Sequence, residues 1–556
     1  MKIISRIFII SVSAVLFSSC LKDLDTLPLN STDFTSENAY ADENSYLKSL
    51  SYINGYYMLV GQDDPGSNDL GFSDSGQSEF LRQWFNMNEM TCDALKCVWG
   101  DSYLTELQHD SWGKGSNDAL VAVYTRAVKA IALVNEFLLQ TEDSKIESRG
   151  QEELKETIHG YRAEARFHRA MFFYVLMDEF GNPPFPMPEN IGGENPKRIT
   201  RPELFQWLET ELLDLGSETS AMPEKGSVPY PRPTKGSVWA LLSRMYLNAE
   251  VYTGTARWQE AKDAAKKVIE MGYSIHTPYS DLFRQDNTET GAAAEEFIFA
   301  VAYDRVSTQS WGGTTTFTSA SLNEAANIKL GAEFGLAKIN GENWAGYHVP
   351  DDYVARFQLN GVVWENPDNA FGYDRATSDK RAFFTNYGSK KDFSESDMAT
   401  GWMCWKFCGL DSKDKLAQYD GVAGQWKISS ADMPIFRLAE MYLNYAEADA
   451  RLNGGVVTET AAKEYVKELR DRAGVSMPSE IDLEWLLDER AREFMWEGHR
   501  RVDLIRFGKF TDVNYPWTLK GGLMSGRIAI PAYKTIFPII QSDLSSNSNL
   551  RQNDGY

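Results

Sequence analysis

The sequence predicts a mainly α-helical protein, built from helix pairs with irregular, aromatic-rich segments set between them. Three observations carry this. Apolar residues recur at helical spacing through residues 118–273 and 432–510. Short turns join successive helices, which suggests antiparallel hairpins. Residues 50–117 and 274–431 lose that period and are rich in Gly, Asp, Asn, Ser and aromatic side chains. The second of these is too long to be one loop in a compact protein, so it reads as an irregular subdomain, with short strand-like runs such as Glu296–Ala302.

The helices follow in order. From Asp118 to Gln140, the set Val121, Tyr124, Val128, Ile131, Val134 and Leu138 recurs every three or four residues. Glu152 to Phe180 is a second pattern, stopped by Gly181, Pro183 and Pro184. Pro202 to Leu215 is a third. Thr234 to Ala249 and Arg257 to Met271 form a pair across the turn Tyr252–Thr255, with Gly272 placed for a left-handed cap. This pair has the small and aromatic packing residues of a tetratricopeptide unit. Asp432 to Leu452, Thr460 to Ala473 and Asp482 to Glu497 complete the set.

Composition narrows the function. The 556 residues carry a formal net charge of −23, which argues against nucleic acid and against an anionic membrane surface. A neutral ligand is the expectation. Fifteen Trp, 26 Tyr and 29 Phe are enough to leave some rings outside the core.

The N-terminus reads as a signal peptide: Lys2 and Arg6, the eleven-residue apolar run Ile7–Phe17, then Ser18, Ser19 and Cys20. The run is too short to span a bilayer. Cys20 after small residues resembles a bacterial lipobox, with Phe17 where Leu is commoner. In that reading residues 1–19 are removed, Cys20 is acylated, and residues 20–35 form a tether ahead of a single domain over 36–556. The alternative is ordinary cleavage with Cys20 incidental.

No GxSxG, Walker A, GxGxxG or HExxH string is present, and the six histidines are scattered, so neither a cofactor nor a metal is expected. Glu489, Glu493 and Glu497 share a helix face and could supply the two carboxylates of a glycosidase. Catalytic pairs usually come from separate elements, and ion pairing with Arg490, Arg500 and Arg501 is the simpler reading. Asp488 and Glu489 are each spaced to pair with Arg492. Cys92, Cys97, Cys404 and Cys408 allow local disulfides, a zinc site of unusual spacing, or buried free thiols.

The most specific strings lie in order along the chain: Arg162–Tyr174 running into Phe180–Phe185, Arg232–Leu247, Phe436–Ala448, Leu469–Val475, Leu487–Phe507, and the ending Phe537–Ile540 with Asn549–Tyr556. Together they resemble the SusD/RagB family from Cys20 to Tyr556, with Ile540 where that family usually has Pro. The resemblance implies a SusD-like fold of four tetratricopeptide-like helix pairs with a variable, loop-rich ligand-binding part. It implies an outer-membrane, cell-surface lipoprotein that is not an enzyme. It also implies a partnership with a SusC-like TonB-dependent barrel, over which the protein acts as a lid, and an oligosaccharide or, less often, peptide ligand.

Sugars present flat C–H faces rimmed by hydroxyls, so a glycan site needs aromatic platforms beside carboxylates and amides. Two regions have that composition: Trp84 to Trp112, and Tyr303 through Trp311, Trp344 and Tyr347 to Trp402 and Trp405. The candidate ligand residues are Trp84, Asn88, Asp93, Trp99, Tyr303, Trp311, Trp344 and Trp402, with Trp99 and Trp311 favoured by their Gly and polar neighbours.

Overall fold

A computed structural model describes residues 39–61, 68–188, 193–288, 291–357, 379–390, 393–416 and 427–556. The expected signal sequence, Cys20 and the expected tether lie outside the described residues. Among those described, no helix is long and apolar enough to cross a membrane.

The architecture is mainly α. The helices that matter here are α1 (Glu43–Gly55), α2 (Phe80–Glu89), α3 (Asp118–Gln140), α4 (Lys155–Val175), α5 (Arg201–Leu215), α6 (Lys235–Leu247), α7 (Trp258–Ile269), α8 (Gly313–Ser319), α9 (Leu438–Leu452), α10 (Thr460–Ala473), α11 (Leu483–Glu493) and α12 (Arg500–Arg506). Helix α3 packs on α4, α4 on α5, α6 on α7 and α9 on α10. The packing of α7 against α9 joins the N- and C-terminal helical stretches. One hydrophobic core runs from Tyr56 to Ile540, and a smaller one lies under α1 against α3 and α4.

Among the described residues, six short strands pair two by two: β1 (Lys96–Cys97) with β3 (Tyr347–His348), β2 (Phe297–Val301) with β6 (Met433–Arg437), and β4 (Phe384–Thr385) with β5 (Met403–Cys404), all antiparallel.

Local chemistry explains most boundaries. Helix α3 starts where the Asn117 side chain accepts from the backbone N–H of Ala119. Helix α5 opens with a Thr200–Glu203 capping box, and α10 stops at Gly474, whose φ is +74°. Helix α4 widens into a π turn, Leu176–Phe180, before Gly181.

Four expectations are corrected. The helix expected from Asp432 begins at Leu438, because Met433–Arg437 pairs with β2 as a strand. A short apolar run does not distinguish strand from helix, and the partner strand decides. The expected turn at Tyr252 is partly helical, over Ala249–Thr253. The helix expected to reach Glu497 ends at Glu493, and Trp496 (φ +58°) and Gly498 (φ +78°) then turn the chain. The stretch 50–117, read as lacking helical period, contains α2. Nine of its ten residues are buried, among them Arg82, Gln83, Asn86, Asn88 and Glu89, so it presents no polar face to reveal it.

All four cysteines beyond Cys20 are free and buried, which overturns the local disulfides and the zinc site. Burial pushes the Cys97 and Cys404 thiols up to about 12.

Glu489, Glu493 and Glu497 are indeed ion-paired, though not with Arg490, Arg500 or Arg501; the expected Glu489–Arg492 pair does form. Glu489 meets Arg381 (2.8 Å), Arg470 (2.9 Å) and Arg492 (2.8 Å). Glu493 meets Arg381 (3.0 Å), Arg437 (2.6 Å) and Arg472. Glu497 meets Arg437 (2.7 Å) and Lys406 (2.6 Å). Arg490 instead pairs with Asp503, Arg500 with Asp93, and Asp488 with Arg356. Burial alone would raise the Glu489 carboxyl, but the guanidiniums of Arg381, Arg492 and Arg470 outweigh it and hold the group at about 2. A carboxyl so held neither donates a proton near neutrality nor offers a free lone pair to a substrate.

Other buried carboxyls move the opposite way. Burial raises Glu89 to about 8, against the backbone N–H of Gly498. Burial and then the nearby Asp178 raise Glu179 to about 7. A carboxyl raised on folding binds a proton that the unfolded chain has already lost, so stability falls with rising pH between the two values. Buried His168, His348 and His499, all held below the usual imidazole value, act in the opposite sense up to about pH 6.5, so the melting temperature is expected to decline from about pH 7 to about pH 8, and Glu89→Gln should flatten that decline. A melting temperature flat or rising over that window would contradict these shifts.

Candidate functional site

The ligand-facing candidate is an arc of three tryptophans assembled by β1 and β3. Lys96 pairs with His348 and Cys97 with Tyr347, and the N–H of Val98 donates to Gly346 O (3.0 Å). This ladder sets Trp99, just after β1, against Trp344, just before β3. Trp99 Nε1 donates to Trp344 O at 3.3 Å, and the two ring centroids are 6.4 Å apart at 52°. The N–H of Trp344 is fixed on Ser319 O at the end of α8 (2.7 Å). Trp311, ahead of the same helix, closes the arc at 6.3 Å and 34° from Trp344. All three rings are partly exposed.

Polar residues lie close to the rings along the chain. Asp101 is exposed, Asn343 is partly exposed, and Glu342 pairs with Lys427. The loop carrying Asp74 packs on the Trp311 backbone: a Cβ on Gly76 would come within 2.5 Å of the Trp311 carbonyl carbon. Asp74 is about half exposed and pairs with the buried guanidinium of Arg82 (2.7 Å). Flat apolar faces with carboxylates and an amide nearby are what a carbohydrate chain needs. A separate cavity of about 340 Å³, lined by Pro278, Phe334, Lys380 and Trp405 among others, shares no lining residue with the arc.

The remaining candidates are placed differently. Tyr303 is buried and donates its hydroxyl to Glu79 (3.0 Å). Trp402 is fully buried, with Nε1 donating to Asp351 (2.7 Å). Asp93 is fully buried between Arg500 (2.8 Å) and Arg356 (2.8 Å), and these two guanidiniums overcome burial to hold its carboxyl well below the usual range. Asn88 is fully buried and donates to Glu179 (2.6 Å). Trp84 is partly buried and donates to the same Glu179 oxygen (2.9 Å), with no ring contact to the arc among the described residues. Four of the eight, Asn88, Asp93, Tyr303 and Trp402, are therefore framework groups whose surface is already occupied.

Sequence reasoning did not find Arg82, Glu79 or Gly346. Gly346 has a definite role: a Cβ there would lie 2.0 Å from the Trp99 ring, so only glycine lets that ring lie across the strand. Gly346→Ala is expected to push Trp99 out of the arc and weaken glycan affinity by about tenfold, while the fold survives. Isothermal titration against a panel of oligosaccharides reads the affinity, and near-ultraviolet circular dichroism reads the displaced Trp99–Trp344 pair.

Comparison with known proteins now places the chain. The SusD family model matches residues 295–556, and a model described as starch-binding, associating with the outer membrane, matches residues 33–247. The Starch-binding protein SusD of Bacteroides thetaiotaomicron is 32% identical over 100% of this chain and 99% of that protein. This chain belongs to the SusD family. A SusD-like protein of Bacteroides ovatus is 22% identical over 91% of this chain and 83% of its own length. Among solved structures, a SusD homolog from Bacteroides thetaiotaomicron aligns with a TM-score of 0.69 at 17% identity, covering 94% of this chain and 98% of that one. Surface glycan-binding protein A from the same organism, solved with laminarihexaose, aligns with a TM-score of 0.66 at 19% identity, covering 92% and 99%. At these identities the structural matches establish a shared SusD-like fold.

Proposed function

We propose that this chain binds oligosaccharide or polysaccharide at the cell surface and hands it to a SusC-like TonB-dependent outer-membrane transporter, which it covers as a lid. The observation that carries the binding part is the arc of Trp99, Trp344 and Trp311 with its nearby polar residues. The starch-binding name of the 32%-identical relative points the same way. Residues 1–19 act as the export signal, Cys20 carries the lipid, and 20–35 tether one domain to the outer membrane. The family description that mentions the outer membrane supports that location. The protein performs no chemistry of its own: Glu489, Glu493 and Glu497, the glycosidase alternative, are spent on buried guanidiniums and Lys406.

The test is a binding screen of the soluble form lacking residues 1–20 against maltoheptaose, laminarihexaose, a panel of polysaccharides, and mixed peptides. Saturable glycan binding with no release of reducing ends supports the proposal. Tight peptide binding without glycan binding would replace it with a peptide-capturing role, and turnover of any oligosaccharide would make the protein a hydrolase. Co-purification of the full chain with an outer-membrane barrel tests the lid.

A further inference from the structure

We infer that Glu79 is a positioning residue for the Trp311 platform, fixing the loop that carries this ring to the start of α2. The inference rests on the glycan-binding reading above and adds to it a residue that touches no ligand.

The geometry is specific. Glu79 is fully buried at the N-cap of α2, where its Oε2 accepts from the backbone N–H of Arg82 (3.2 Å). Its Oε1 accepts from the hydroxyls of Ser310 (2.7 Å) and Tyr303 (3.0 Å), which flank the Trp311 loop. Ser310 Oγ in turn accepts from the N–H of Gly312 (3.0 Å), so the residues on either side of Trp311 both hang from one carboxyl. The loop is pressed onto that carboxyl as closely as backbone allows. A Cβ on Gly312 would come within 2.2 Å of Glu79 Oε2, and one on Gly313 (φ +43°) within 1.9 Å of the Tyr303 hydroxyl. Both ends of the clamp are anchored. The backbone N–H of Tyr303 donates to Asp432 (2.8 Å), and the carbonyl of Ser78 accepts from Arg126 on α3 (2.9 Å).

The charged and titratable groups around Glu79 are few. Arg82 on α2 is turned to Asp74, Tyr303 follows β2, Asp432 precedes β6, and Arg126 on α3 is paired with Asp69. Burial raises the Glu79 carboxyl to about 7, against the lowering effect of the Ser310, Tyr303 and Arg82 donors. An ionised carboxylate accepts from all three donors at once. Protonation places a hydrogen on one oxygen and makes the neighbours yield.

The experiment compares wild type, Glu79→Gln, Glu79→Ala and Gly312→Ala, first without ligand and then with maltoheptaose or laminarihexaose, whichever the wild type binds. Without ligand, Glu79→Ala and Gly312→Ala are expected to raise hydrogen exchange in residues 309–316 at least about tenfold and leave α3 and α4 unchanged. With ligand, wild-type affinity should fall about threefold or more as pH drops from 8 to 6, and the Glu79→Gln profile should be flat. Unchanged exchange at 309–316 in both alanine variants, or the same pH profile in wild type and Glu79→Gln, overturns the inference. If Glu79→Ala does not fold, Gly312→Ala and Glu79→Gln decide the matter. Absence of glycan binding by the wild type would sink the functional reading while leaving the exchange result to judge the clamp.

Discussion

Replacing Arg437 with Met should destabilise the protein by about 3–5 kcal/mol, the largest effect expected of any single substitution discussed for this chain. Arg437 is 2% exposed and reaches Glu296 (2.9 Å), Glu493 (2.6 Å) and Glu497 (2.7 Å). Arg472 shares Glu296 and Glu493, Arg381 shares Glu493, and Lys406 shares Glu497. Taking charges of this kind out of water costs several kcal/mol each, and their mutual attraction offsets that cost only while every partner stays in place. Methionine fills much of the same volume, so the expected loss comes from buried carboxylates left short of a cation and not from a cavity. A concerted change of Arg437 to Met with Glu493 to Gln should recover part of the loss, because it removes one negative charge along with the cation and leaves Glu497 on Lys406, Arg472 on Glu296 and Arg381 on Glu489. Urea denaturation of the single and double variants measures both. A single variant within about 1 kcal/mol of wild type would mean that the network contributes little.

That network also marks what sequence reading reaches and what it does not. Its carboxylates were visible as a helix face, and their structural use followed from their lying on one element. Apart from Arg492, their partners were not visible. Arg381, Arg437 and Arg472 come from a turn, a strand end and a separate helix, and nothing local connects them to Glu493. The helices with a polar face were legible: α3 and α10 have the bounds that their apolar periods mark, because one side meets solvent and the other the core. Helix α2 was not, since burial on nearly every side removes the contrast on which periodicity depends. Composition located the aromatic-rich regions of the candidate site, and Trp99, Trp311 and Trp344 come together from them. It could not separate these rings from Trp402, which has the same kind of neighbours in sequence. Two-residue strands decide which ring faces out, and strands that short leave no pattern to read.

Truncating Trp344 to Ala is the substitution expected to act most strongly on binding. Trp344 is the middle ring, in contact with both Trp99 and Trp311, and its carbonyl accepts from Trp99 Nε1. Losing it removes a stacking face and the ring that spaces the outer two, whereas losing Trp311 removes only one end. A central, well-packed aromatic anchor typically contributes about 2 kcal/mol or more to binding, or roughly 30-fold in affinity. Trp311→Ala, at the edge, should cost less, about tenfold or under. Stability should change little, because all three rings are partly exposed, and Trp99 and Trp344 lie against the core, not within it. The ordering distinguishes a continuous platform from separate sites. If one sugar chain lies along the arc, the middle substitution exceeds either outer one, and the double change of Trp99 and Trp311 is less than additive, since both act on the same bound chain. Equal losses from all three single changes, with strict additivity, would mean that the rings bind independently. Retention of full glycan affinity by Trp344→Ala would remove the arc as the binding site altogether.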